Sequence, residues 1–137
     1  MPAAAADDIV PLSAPILLAV AAGGAFGAVA RYLVYVLTAR LIGTGFPLAT
    51  LIVNIAGSLA MGVFIELAAL RFEVSQEFRS FIAVGILGAF TTFSTFSLDA
   101  VALYERGRTL AAGAYVLLSV VLCITALFAG MTAIRRL

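Results

Sequence analysis

Four apolar stretches, each long enough to cross a bilayer, leave this chain few folds to choose from. They run over about 14–39, 47–70, 77–104 and 109–134 of 137 residues. A helix of ~20 residues, rising ~1.5 Å per residue, covers the ~30 Å hydrocarbon core of a membrane. Three polar breaks separate them: Gly43-Thr44-Gly45-Phe46-Pro47, the charged run from Arg71 to Arg79, and Glu105-Arg106-Gly107-Arg108. In lipid every backbone N–H and C=O must be paired within the protein, so such segments form helices. The alternation required of a transmembrane barrel strand is missing. The chain therefore reads as all-α, one four-helix transmembrane domain over 14–137 with both termini on one side. Residues 1–13 hold Asp7, Asp8 and two prolines but no basic residue. They read as a disordered tail rather than a secretory signal, which would open with a basic segment.

Composition removes whole classes of function. Hydrophobic residues make up 64% of the chain and charged residues 11%, against about half and about a quarter in soluble domains. Eight arginines, no lysine and seven acids leave a net charge of +1, so no basic surface for nucleic acid exists. With no histidine and a single cysteine, the chain has no Ser-His-Asp triad, histidine metal site or internal disulfide.

Charge at the helix ends bears on orientation. The side with both termini carries Arg71, Arg79, Arg135 and Arg136, and the other side Arg40, Arg106 and Arg108. Four against three is almost no bias, and Lys/Arg asymmetry is what ordinarily orients a membrane chain. Insertion in both directions then predicts an antiparallel, dual-topology homodimer as the simplest closed assembly. Small residues spaced for close helix approach, Gly23 with Gly27 and Ser58 with Gly62, serve packing within a subunit or between subunits.

Polar residues inside such helices are costly unless they face protein or water. Asn54, in the second helix, is either an interhelical hydrogen-bond partner or a donor aimed at a permeating anion. The segment Gly85 to Ser97 places two glycines and five hydroxyl residues at the middle of the third helix, which predicts an interruption near Gly88–Thr92. Freed carbonyls at such a break can bind a cation. Phe93 and Phe96, three apart, share a face beside the hydroxyls. They are either packing residues or a source of positive ring edges for a small anion. Tyr115, Ser119 and Cys123 form one stripe of the fourth helix, as bundle contacts or as a track of donors. Arg31 sits about one turn from the middle of the first helix, too deep for an end anchor. Asp99 lies nearer the end of the third helix, and Glu66 lies at the membrane interface by its position near the end of the second. The deepest fixed charge is positive, which points to an anion.

These segments together resemble the small fluoride channels of the CrcB/Fluc type. The resemblance is carried by Gly23-Gly24, Gly27-Ala28 and Arg31-Tyr32, by Val53-Asn54 and Gly57-Ser58, and above all by Gly88 followed by Thr91-Thr92-Phe93-Ser94-Thr95-Phe96-Ser97. It covers about residues 15–135. It implies a passive fluoride channel in the cytoplasmic membrane that confers fluoride resistance. It also implies a dual-topology homodimer with two fluoride pores along the subunit interface and a structural Na⁺ at its centre. By position, the backbone carbonyls of Gly88 and Thr91 would hold that ion. Asn54 would match the pore asparagine, Phe93 and Phe96 the paired phenylalanines, and Arg31 the vestibule arginine. Ser94, Thr95, Tyr115 and Ser119 would match polar positions of the ion's route. Two positions depart from the pattern: Asp99 stands where Glu is usual, and Cys123 where a hydroxyl is usual.

Two rival readings come from other classes. A small multidrug-resistance-type, proton-coupled exporter shares the four-helix, dual-topology architecture, but needs a carboxylate deep in its first helix. Residues 14–39 contain no Asp or Glu. A non-conducting assembly subunit leaves the Thr/Ser/Phe run unexplained.

Overall fold

The computed structural model describes residues 12–70 and 72–137. Residues 1–11 of the expected tail, and Arg71, lie outside the described residues. Among the described residues, four helices are long and apolar enough to cross a membrane: Ala14–Leu41, Leu48–Leu70, Gln76–Glu105 and Thr109–Arg135. This is a multi-pass membrane protein, and its helices end within two residues of the bounds expected from hydropathy. Pro47 precedes the second helix, where a missing N–H leaves nothing unpaired. Ser75 caps the third, its hydroxyl accepting from the Phe78 N–H at 3.2 Å. The turns after the first and third helices use Gly43 at φ 98° and Gly107 at φ 73°, a backbone region that residues with a Cβ enter reluctantly.

The third helix is bent and compound. It begins as α-helix over Gln76–Arg79, winds as a π-helix over Ser80–Leu87, and returns to α over Gly88–Phe90. It then opens at Thr91 and Thr92 and resumes over Phe93–Glu105. The interruption falls inside the window that the glycines and hydroxyl residues marked out.

Each half of the third helix has its own partner. The first half packs against the first helix, the second half packs against the fourth, and the second and fourth helices lie against each other. Glycine makes these approaches feasible. A Cβ on Gly23 would collide with the Phe81 carbonyl, and one on Gly27 with the Ile86 carbonyl. Gly62 and Gly130 play the same part between the second and fourth helices, facing the carbonyls of Leu127 and Leu59. Without a hydrophobic drive between helices in lipid, such backbone contact is the principal source of association. Within the chain, then, the small-residue motifs serve packing between its own helices.

Polar contacts fix the two ends. Arg108 Nη1 donates to the Gly45 carbonyl at 2.7 Å, tying the two turns at one end together. At the other end Glu66, only 6% exposed, receives Arg135 through two bonds, at 2.8 and 3.1 Å. Glu66, near the end of the second helix, is thus covered laterally by a partner from the last turn of the fourth helix.

The glycine contacts make a direct prediction. Gly27→Ala should lower the melting temperature of the detergent-purified protein, by the equivalent of ~1–3 kcal/mol for an overpacked site. Gly113→Ala, which meets nothing within 4 Å, should leave it unchanged or raise it slightly. Thermal unfolding followed by size-exclusion chromatography checks both.

Candidate functional site

The break in the third helix organises the polar residues around it. Thr91 (φ −84°, ψ 160°) and Thr92 (φ −153°, ψ 117°) are extended, so the helix before them loses the partners of its last carbonyls and the helix after them those of its first N–H groups. Unpaired backbone at that depth is strongly unfavourable. Asn54 repairs it from the second helix. Its Oδ1 accepts from the Thr92 N–H at 2.7 Å and its Nδ2 donates to the Thr92 carbonyl at 3.0 Å. Thr92 itself caps the following helix: its Oγ1 accepts from the Thr95 N–H at 3.2 Å and donates to Thr95 Oγ1 at 3.0 Å. Thr91 Oγ1 bonds back to the Leu87 carbonyl at 3.0 Å. Gly57 lets the two segments close, since a Cβ there would strike the Thr91 methyl group.

Beside the break lies a groove of about 380 Å³. Asn54, Thr92, Phe93, Phe96, Ser119 and Cys123 contribute to its wall, and none of its lining side chains is charged. Asn54 spends one amide N–H on Thr92 and retains a second. Ser119 is 5% exposed, and among the described residues its Oγ has no hydrogen-bond partner. A buried hydroxyl left unpaired is unusual enough to require a cause, and here it lines the groove. The rings of Phe93 and Phe96 are 5.3 Å apart and inclined at 44°. Phe96 is 9% exposed, whereas Phe93 stands 79% exposed on the outside of the subunit.

Of the eight residues expected along an ion's route, Asn54, Phe93, Phe96 and Ser119 line this groove. The other four are placed differently. Tyr115 is completely buried, with its ring 5.6 Å from Phe46 and 5.4 Å from Phe96. Thr95 is half-buried and Ser94 exposed; both hydroxyls lie within reach of Thr92 Oγ1. Arg31 is half-buried and reaches the break itself, Nη1 lying 3.4 Å from the Thr91 carbonyl. Gly88 is exposed on the subunit surface.

One cluster escaped the sequence reading. Thr50 Oγ1 donates to Asp99 Oδ2 at 2.6 Å, Tyr115 OH donates to the same oxygen at 3.2 Å, and Tyr35 OH lies 2.6 Å from Thr50 Oγ1. A signal existed. Thr50 lies one turn before Asn54, and Asp99 shares the face of Thr92, Phe96 and Leu103. A second cavity, of about 250 Å³, opens against this cluster from the end closed by Arg108 and is lined by Tyr35, Thr38, Thr50, Asp99 and Arg106 among others.

The chain is similar to known proteins over most of its length. The family model described as CrcB-like protein, Camphor Resistance (CrcB), matches residues 18–131. The fluoride-specific ion channel FluC 1 of Nitrobacter hamburgensis is 54% identical over 121 residues, covering 88% of this chain and 96% of that protein. The fluoride-specific ion channel FluC of Rhodospirillum centenum is 53% identical over 119 residues, covering 87% and 94%. That of Agrobacterium fabrum is 52% identical over 118 residues, covering 86% and 94%.

The cap at the break can be tested apart from any activity. Thr92→Val removes the acceptor for the Thr95 N–H and should destabilise the protein by about 1 kcal/mol, the usual worth of an N-cap. Thr92→Ser keeps the hydroxyl and should lose little. Chemical denaturation in detergent followed by circular dichroism separates the two.

Proposed function

The chain belongs to the CrcB-like protein family, and from that premise we propose that it is a passive, selective fluoride channel of the cytoplasmic membrane. The observation that carries the reading is the uncharged groove whose buried Ser119 hydroxyl has no partner. Fluoride is compact and strongly hydrated. A route for it must replace its water with donors, none strong enough to hold it, because conduction requires escape. The spare amide N–H of Asn54, the Ser119 hydroxyl and the positive edges of Phe93 and Phe96 are donors of that kind. The helix Phe93–Glu105 begins at the break, so the positive end of its dipole adds to their field. Arg31 contributes its charge at the break, outside the groove wall. A negative cell interior drives the anion outward, which gives the channel its role in fluoride resistance.

A groove open along one side does not enclose an ion. An antiparallel second copy would complete it, and the near-balanced arginine count at the two ends allows one. Phe93, exposed on the subunit's outside, would then reach across into the partner's groove. The break also supports the structural Na⁺ at the dimer centre. The Gly88 carbonyl is denied its usual partner, because the Thr92 N–H is given to Asn54. Gly88 is exposed, and among the described residues a Cβ added there would meet, beyond its own stretch of helix, just the Ala83 carbonyl oxygen, at 3.5 Å. A neighbouring subunit has room to approach. The Thr91 carbonyl has only the long Arg31 contact. Backbone carbonyls at the negative end of a helix are hard oxygen donors suited to such a cation. Bound there, Na⁺ would compensate the gathered carbonyl dipoles.

In liposomes loaded with fluoride, the wild type should show rapid efflux that chloride does not share. Phe93→Ile should nearly abolish it by removing a ring edge. Asn54→Asp should do the same by replacing a donor with a charge. Leu18→Ala, on an exposed face of the first helix, should leave it unchanged. Equal efflux from all four proteins, measured with a fluoride electrode, would overturn the assignment. For the cation, exchange of Na⁺ for K⁺ or an organic cation should depress flux, and undiminished flux would remove the Na⁺ from the reading.

A further inference from the structure

Tyr35 has no part in the route just described, yet it makes one of the shortest side-chain contacts in the molecule, 2.6 Å from Thr50 Oγ1. Thr50 has one hydroxyl proton, and it is directed to Asp99 Oδ2 at 2.6 Å. Between Tyr35 and Thr50 the donor must therefore be Tyr35. Tyr115 donates to the same carboxylate oxygen. The direction of the chain is thereby set: Tyr35 to Thr50 to Asp99, with Tyr115 closing on Asp99 from the fourth helix. Thr50 is 1% exposed and Tyr115 fully buried.

The carboxylate has reason to be held. Asp99 lies one turn beyond Phe96, which lines the groove. A negative charge free to swing towards an anion's route would repel the anion. A lone threonine also has an alternative to Asp99: it can bond back to the carbonyl of Phe46 or Pro47, just before its helix begins. Accepting from Tyr35 fixes the Thr50 hydroxyl against that turn and polarises the proton it gives to Asp99.

We propose that Tyr35 is a positioning residue of the channel: acting through Thr50, it pins the Asp99 carboxylate beside Tyr115 and away from the groove. The proposal rests on the fluoride-channel reading, and a spectroscopic arm tests it without depending on flux. The chain has three aspartates, Asp7, Asp8 and Asp99. Aspartate labelled with ¹³C at its side-chain carboxyl, incorporated into a protein carrying Asp7→Asn and Asp8→Asn, isolates the infrared band of Asp99. Tyr35→Phe should shift that band and lower fluoride efflux about fivefold, on the scale of one net hydrogen bond. Tyr32→Phe, an exposed tyrosine of the same helix, should change neither. Thr50→Ala cuts the chain at its next link, should shift the band in the same sense, and serves if Tyr35→Phe does not fold. Thr50→Ser keeps the link and should retain most of the flux. An unmoved Asp99 band in Tyr35→Phe, or undiminished flux with the band shifted, would overturn the proposal. A wild type that shows the band but passes no fluoride would instead overturn the channel reading.

Discussion

The pair of hydrogen bonds between the Asn54 carboxamide and the Thr92 backbone is the contact on which the rest of the structure depends. A helix opened at the middle of a membrane exposes donors and acceptors where no water can satisfy them. A side chain that repairs one residue's N–H and C=O together must carry both an acceptor and a donor in fixed geometry. Asn does so at 2.7 and 3.0 Å; Asp lacks the donor, and Ser or Thr cannot span both. With the opening secured, two extended residues suffice to separate a carbonyl-rich end from an N–H-rich one. The first polarity suits a cation and the second an anion. On the proposed reading, one local break thereby serves two ions of opposite sign on the same short segment.

Close packing protects that arrangement. The first half of the third helix is held to the first helix through Gly23 and Gly27, and Thr91 closes on the second helix over Gly57. Side chains at these positions would hold the backbones apart and withdraw Asn54 from Thr92. The glycines and the asparagine therefore belong to one device, although they lie on different helices. The same argument accounts for the division of the third helix between two neighbours. Each half is bound to a different neighbour, so the joint can open without the halves drifting.

Much of this was legible in the sequence, and the limits have physical causes. Apolar length located the spans, because burial in lipid tolerates few charges. Two glycines and five hydroxyl residues located the interruption, because local propensity alone disfavours helix there. Asn54 was legible as a polar residue in an apolar span, but its two roles were not separable from sequence. A carboxamide has enough groups to clamp Thr92 and still retain an N–H, and only geometry shows the division. Tyr115 looked like one member of a donor stripe. Its ring instead fills the space between Phe46 and Phe96, while its hydroxyl turns to Asp99. The burial of Glu66 was not legible, because Arg135, the partner that covers it, is 69 residues away. The Tyr35–Thr50–Asp99–Tyr115 cluster joins all four helices; periodicity marks the faces that carry Thr50 and Asp99, but not which faces meet.

The acid in that cluster poses the hardest question for an anion route, and its surroundings answer it. Asp99 is one methylene shorter than a Glu would be, so its carboxylate has less reach. Two hydroxyls converge on one of its oxygens, and their protons offset part of its charge where it meets the protein. The groove wall beyond Phe96 carries no charge of its own. An ion there would meet weak partial positives only, with Ser119 still holding an unspent proton to offer. A stronger donor in its place would bind the ion more tightly and release it more slowly. On the proposed reading, a neutral hydroxyl at Ser119 gives the ion one weak donor, which permits a brief, reversible exchange with the ion's own water.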